Sequence, residues 1–213
     1  MQKDEAGAVI DRALAPLLEA AGFTREGAAW TSRLGEIVRR VELDSFDSRW
    51  AVIRAEITVV SALEVLRSAP PGLDLTFDTV PASQLLQLWI THGMTKGDQD
   101  ELVSVLDWRY DKLTPQKLEA SVVETFRSCI GPFFQSTSTV EQAWMEVWQE
   151  GEYGDCGPMS YFQPRVNHSV GIALFLALGE RWRAMELIDG KKARRGAAEL
   201  PVAFKEWALS YGR

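Results

Sequence analysis

RWAVIRAEITVV, residues 49–60, is the stretch whose reading decides the fold of this chain. Ala51, Ile53, Ala55, Ile57 and Val59 alternate with Arg54, Glu56 and Thr58. A strand sends successive side chains to opposite faces, so the odd-numbered set builds a core face and the even-numbered set a polar one. The polar face is either wet or covered by polar contacts.

Working outward from this strand, residues 28–33 and 36–45 show the same period and are separated by Leu34-Gly35, with Phe46-Asp47-Ser48 as the next turn. Three strands in a meander follow from that punctuation. Pro70-Pro71-Gly72 ends the layer, after which Leu73, Leu75 and Phe77 alternate as a short fourth strand. Gln84 to Ile90 fits helix and strand equally, residues 93–100 read as a loop, and residues 103–110 supply a last strand.

The N-terminal side of the meander is helical. From Asp4 to Ala21, Val9, Ala13 and Leu17 interleave with Ile10, Leu14 and Leu18, which makes one apolar stripe. Gly22 ends that helix and Phe23 folds back on Leu18, the hydrophobic contact of a Schellman cap. Pro16 removes the bond to the Arg12 carbonyl and predicts a bend.

Beyond residue 112 the period becomes helical. Thr114 before Pro115 starts a helix with Leu118, Val122, Phe126, Cys129 and Phe133 on one stripe. Thr139 and Gln142 form a second capped start, with Trp144, Val147 and Trp148 behind it and Gly151 closing it. A Gly- and Pro-containing loop spans 152–167. An apolar helix from Ser169, a break at Gly179 and a further helix through Ile188 make a helical hairpin. ALFLALGERWRAMEL, residues 173–187, has the spacing of one tetratricopeptide-like hairpin, and one copy does not make a solenoid. A terminal helix begins near Leu200-Pro201 and carries Trp207 and Leu209.

The expected fold class is therefore α+β. An N-terminal helix and an antiparallel meander sheet of four or five strands occupy residues 1–112, and a mostly helical layer of residues 113–213 packs on it within one domain. The 213 residues, 46% hydrophobic and 25% charged, suffice for that core and exclude disordered and fibrous classes. The net charge of −7 argues against nucleic acid and anionic membrane as partners, which require basic excess. The longest apolar run, Val170 to Leu178, is shorter than the roughly 20 residues of a spanning helix. MQKDEAGAVI lacks the basic start and apolar core of a signal peptide, and two cysteines, Cys129 and Cys156, are too few for a disulfide scaffold, so a cytoplasmic location with free thiols is expected.

LAPLLEAAGFTREGAAWTSR, residues 14–33, followed by the strands from Glu36, resembles a family of bacterial proteins classified as a domain of unknown function. Leu14, Leu17, Leu18, Gly22, Phe23, Arg25, Gly27 and Trp30 carry the likeness. It implies a leucine-rich helix, a Gly-Phe cap and aromatic-led strands over the first quarter of the chain, and no activity.

Chemistry-bearing residues are sparse. His92, His168, Cys129 and Cys156 are the whole inventory of imidazole and thiol groups, without the close spacing of a zinc motif, so no metal and no cofactor are expected. A Cys156–His168 nucleophile pair flanking the Gly/Pro loop is conceivable on sequence proximity alone. GDQDE, residues 97–101, lacks calcium-loop spacing, and KKARR, residues 191–195, is a short basic run suited to a helix C-terminus. Arg33, Arg39, Arg40, Arg49 and Arg54 are balanced by Glu36, Glu42, Asp44, Asp47 and Glu56. In DWRYD, strand geometry sets Asp107, Arg109 and Asp111 on one face; two carboxylates around a guanidinium make a polar pocket floor, or ordinary cross-strand salt bridges.

The candidate ligand- or partner-binding residues are thus Arg54, Glu56, Asp107, Arg109 and Asp111, with no catalytic residue assigned. Eight tryptophans exceed the needs of a central core, and some are expected to line a groove or partner surface. The chain reads first as a non-catalytic binding or protein-interaction module for a protein partner or small ligand. The second reading is a hydrolase or transferase using the carboxylate/arginine pocket. No nucleotide loop, nucleophile elbow or paired-histidine helix supports an enzyme.

Overall fold

The computed structural model describes residues 1–44, 50–71, 86–90, 107–149, 162–166, 168–189 and 200–212. Lys3–Ala20 form helix α1, whose Ala6, Val9, Ile10, Ala13, Leu14 and Leu18 are buried along one stripe. Asp4 and Glu5 occupy its first turn, where acidic side chains complement the helix dipole, and Glu5 accepts from the Gln2 N–H at 3.4 Å. At the other end Gly22 takes φ +79°, and the Phe23 N–H reaches the Leu18 carbonyl at 2.9 Å. That bond is the Schellman closure, and Phe23 follows it into the core at 3% exposure.

The sheet begins with β1 (Thr24–Glu26), β2 (Ala29–Leu34), β3 (Ile37–Asp44) and β4 (Trp50–Val59), each antiparallel to the next. The three central ranges match the sequence reading to within a residue or so. β1 is shorter than the alternation needed to see it. Gly35, at φ +56°, turns β2 into β3, where a left-handed residue matches the strand twist.

Beyond β4 come helix α2 (Val60–Leu66), β5 (Leu86–Ile90) and β6 (Asp107–Arg109). The far edge of β4 is shared: β6 pairs with residues 50–52 and β5 with residues 56 and 57. β7 (Phe162–Val166) adds to β5, giving among the described residues a seven-stranded order β1-β2-β3-β4-β5-β7 with β6 on β4. β7 lies in the segment read as loop, and it corrects that reading. Among the described residues β7 ends the strand order, and an edge strand has one side on which no N–H is required, so Pro164 is tolerated there. The expected fourth strand at Leu73, Leu75 and Phe77 and the loop at 93–100 lie outside the described residues.

Helices α3 (Pro115–Thr125), α4 (Gly131–Ser136), α5 (Val140–Gln149), α6 (His168–Ala177), α7 (Arg181–Ile188) and α8 (Val202–Ser210) make the second half. Thr114 caps α3 as its position predicts, accepting from the Lys117 N–H at 3.3 Å. A π-helical turn, Phe126–Ile130, joins α3 to α4, and the Gly131 N–H bonds back to the Phe126 carbonyl. Pro132 has no N–H to continue the α-helical ladder, so the helix widens for one turn. The Thr139–Gln142 capping box forms in both directions at 3.1 Å.

Helix α1 packs on α3, α2 on α6 and α6 on α7, over the odd-numbered face of β4. Ile10, Leu18, Ile37, Ile53, Ile57, Leu118, Ile130, Phe175 and Phe204 are fully buried and join both halves in one cluster. No helix among the described residues is long and apolar enough to cross a membrane.

Candidate functional site

The polar face of the sheet is built by register. Arg40 on β3 lies opposite Glu56 on β4, and Glu42 opposite Arg54, so two acids and two arginines form a checkerboard over two strands. Directly opposed unlike charges stabilise an antiparallel pair modestly. Arg40 and Glu42, which sequence reading left in a balanced charge cluster, are brought into the site by the β3–β4 register.

Arg40 and Glu42 pair along their own strand at 2.9 Å, with both side chains partly in solvent. Glu56 is closed in at 2% exposure, and its Oε2 has no hydrogen-bond partner among the described residues. Burial therefore outweighs the attraction of Arg40 and Arg54 and, with the repulsion of Glu42, raises the carboxyl to about 7. A carboxylic acid balanced between its two forms near neutrality can store or release a proton.

The five residues picked from sequence divide. Arg54 and Glu56 come together at the centre of this face. Asp107 and Arg109 take register positions opposite Val52 and Trp50, on the same alternation of β4, and their side chains lie outside the described residues. Asp111 departs from expectation: the strand stops at Arg109, and Tyr110–Lys112 form a 3-10 turn that leaves Asp111 exposed. Tyr110 is 2% exposed, and the chain turns there to bury it before α3 starts. Strand alternation therefore no longer sets Asp111 beside Asp107 and Arg109.

Arg39 is the arginine whose role the cluster reading missed. It alternates with Ile37 and Val41, so it lies on the core face, 9% exposed. Its guanidinium stacks 4.8 Å from the Phe23 ring and 5.7 Å from Phe134, and donates to Ser32 Oγ at 2.6 Å and the Ala21 carbonyl at 3.4 Å. Helix α1 has no basic residue in its last turn, so Arg39 supplies that cation from the sheet. Burial lowers its pKa below the ordinary arginine value. Its neighbours make this a structural guanidinium.

An open cavity of about 370 Å³ lies between Lys3, Asp4, Gly7 and Ala8 of α1, Leu43 and Ala51 of the sheet, and Tyr110. Small residues leave the space. The polar face and this cavity are separated by the sheet, since Ala51 belongs to the core alternation.

A second surface gathers at the helical end. Arg183 stacks 4.1 Å from the Trp144 ring and 4.7 Å from the Trp182 ring, and pairs with Glu180 at 3.3 Å. Glu180 also accepts from Trp182 Nε1 at 2.9 Å. Trp182 is 53% exposed, Leu178 42% and Met145 37%. The other tryptophans divide between core and flank: Trp30 is buried and Trp207 half-buried, while the side chains of Trp50, Trp89, Trp108 and Trp148 lie outside the described residues.

Cys129 is buried beside Ser128 Oγ at 3.0 Å, and burial pushes its thiol up, away from the reactive thiolate. Cys156, His92, the GDQDE and KKARR runs and the side chain of His168 lie outside the described residues. Among the described residues no group of three or more His, Cys, Asp or Glu gathers as a metal site. No family model matches the chain, and neither a curated protein nor a solved structure is similar to it.

Proposed function

We propose that the protein is a non-catalytic interaction module that docks a basic protein partner through the Trp182 surface. The observation that carries this reading is Trp182, 53% exposed and stacked on Arg183, whose guanidinium also lies over the half-buried Trp144, at a helical end that exposes Met145 and Leu178 as well. Tryptophan, methionine and arginine are the residue types enriched at protein interfaces, and tryptophan and arginine dominate their energetics. The net charge of −7 favours a partner with basic excess. The likeness of residues 14–33 to a bacterial family and the sparing use of cysteine support a bacterial, cytoplasmic setting.

Affinity capture from the lysate of its own cells tests the proposal when three chains are compared: wild type, Trp182→Ala and Val202→Ala, the last altering a 69% exposed residue on α8. The expected result is a Lys/Arg-rich protein retained by wild type and Val202→Ala, lost by Trp182→Ala, and released by salt. Equal capture by all three chains overturns the reading.

The hydrolase or transferase reading is favoured by Glu56, a buried acid that titrates near 7 beside two arginines. Against it stands the closure of Glu56 to 2% exposure, which denies a substrate direct approach.

A further inference from the structure

We propose that Glu56 is a proton-operated latch on the junction between β4 and β5. The argument begins with the sheet. β5 pairs with β7 over five positions, from Leu86↔Val166 to Ile90↔Phe162. It pairs with β4 at only two among the described residues, Glu56↔Gln87 and Ile57↔Leu86. The β5–β7 unit is thus attached to the sheet at the position where the buried acid sits.

The groups around Glu56 decide what each protonation state does. From β3, Arg40 stands opposite and Glu42 lies diagonal; from β4, Arg54 and neutral Thr58 are the same-face neighbours. From β5 the opposite position is neutral Gln87, with Arg165 of β7 at the register position beyond it. Arg40 is held 2.9 Å from Glu42 and makes no ion pair with Glu56 among the described residues. A neutral carboxyl tolerates this closed site at the cost of an unmade hydrogen bond. An ionised one has no such tolerance, because a buried charge requires a partner or water. Parting of β4 from β5, which among the described residues pair at Glu56 and Ile57, is the local route that admits water. Protonation therefore closes the junction, and deprotonation favours its opening. The device is independent of the Trp182 surface.

Amide hydrogen exchange of residues 56, 57, 86 and 87, corrected for intrinsic exchange, tests it between pH 5 and 8.5 in wild type and in Glu56→Gln. In wild type, protection at these amides should fall by about tenfold per pH unit from 5 to 7 and level off above, since opening is linked to loss of one proton. The β2–β3 ladder should stay constant, and Glu56→Gln, neutral at every pH, should show no such fall. Parallel profiles in the two chains overturn the proposal. The wild type alone provides a second reading if the variant fails to fold. A Glu56 carboxyl ¹³C titration must level off together with the exchange change, and a carboxyl that titrates near the ordinary value of about 4 overturns the latch.

Discussion

Arg40 and Glu56 face each other across the β3–β4 ladder, yet Arg40 turns along its own strand to Glu42 at 2.9 Å and leaves Glu56 buried without an ion pair among the described residues. A carboxyl opposite an arginine ordinarily has a depressed pKa. Here desolvation dominates and the shift is upward. The folded state accordingly holds its proton more tightly than the unfolded chain does.

That difference fixes a pH dependence of global stability. The contribution of Glu56 is fully present below its unfolded value of 4.5, is lost as pH rises through the interval to about 7, and is constant above. The full loss is at most about 3 kcal/mol from the size of the shift. Glu56→Gln, which mimics the neutral acid, should therefore gain on wild type between pH 5 and 7. Urea midpoints across that range check it, and a constant offset between the two chains would falsify the assignment.

Arg39 offers the opposite case, a buried cation whose partners are rings, a hydroxyl and a helix end. Replacing a buried charge by an apolar side chain of similar length often costs little, whereas truncation leaves a cavity. Arg39→Met should remain within about 1 kcal/mol of wild type, while Arg39→Ala should lose about 3 kcal/mol as Phe23 and Phe134 lose their packing neighbour. Denaturant unfolding of both variants distinguishes this from a dominant charge role, in which the two would fall together.

Gly22→Ala should cost about 1–2 kcal/mol, because a side chain at φ +79° is strained even where, as here, nothing stands within 4 Å of the added Cβ. Since the cost is local to the end of α1, thermal midpoint should drop without change in the buried position of Phe23. Near-ultraviolet circular dichroism reads the second quantity.

The legibility of the sequence followed the range of the interactions. Ala51 to Val59 could be read because a strand's period is written in neighbouring residues, and Leu18-Gly22-Phe23 because a cap closes within one turn. β7 was not legible: Pro164 and its Gly/Pro surroundings speak locally for a loop, and only pairing with β5 makes a strand. Asp111 was misplaced because the burial of Tyr110, a tertiary event, ends the strand early. Glu56 stood out as a polar-face residue from alternation alone. Its closure from water depends on what the rest of the chain brings over that face, which no local period records.

The last prediction concerns Arg183 and its two tryptophans. Trp144 is half-buried, 6.3 Å edge-on to the fully buried Phe175, so it joins the stack to the core; Trp182 stands on the solvent side. Trp182→Ala should accordingly change stability by no more than about 1 kcal/mol, the usual scale for an exposed position, whereas Trp144→Ala should cost about 3 kcal/mol. A double-mutant cycle between Trp144 and Arg183 separates stacking from simple burial. The guanidinium lies 4.1 Å from that ring, and a partly desolvated cation–π contact is worth about 1 kcal/mol, which is the coupling expected. Arg183→Met is the variant of choice because it keeps the stem and deletes the charge; the Glu180 ion pair is lost in both corners that carry this substitution, so that loss cancels in the coupling energy. Coupling indistinguishable from zero would mean that Arg183 merely lies over Trp144, and that the surface owes its order to Phe175 alone.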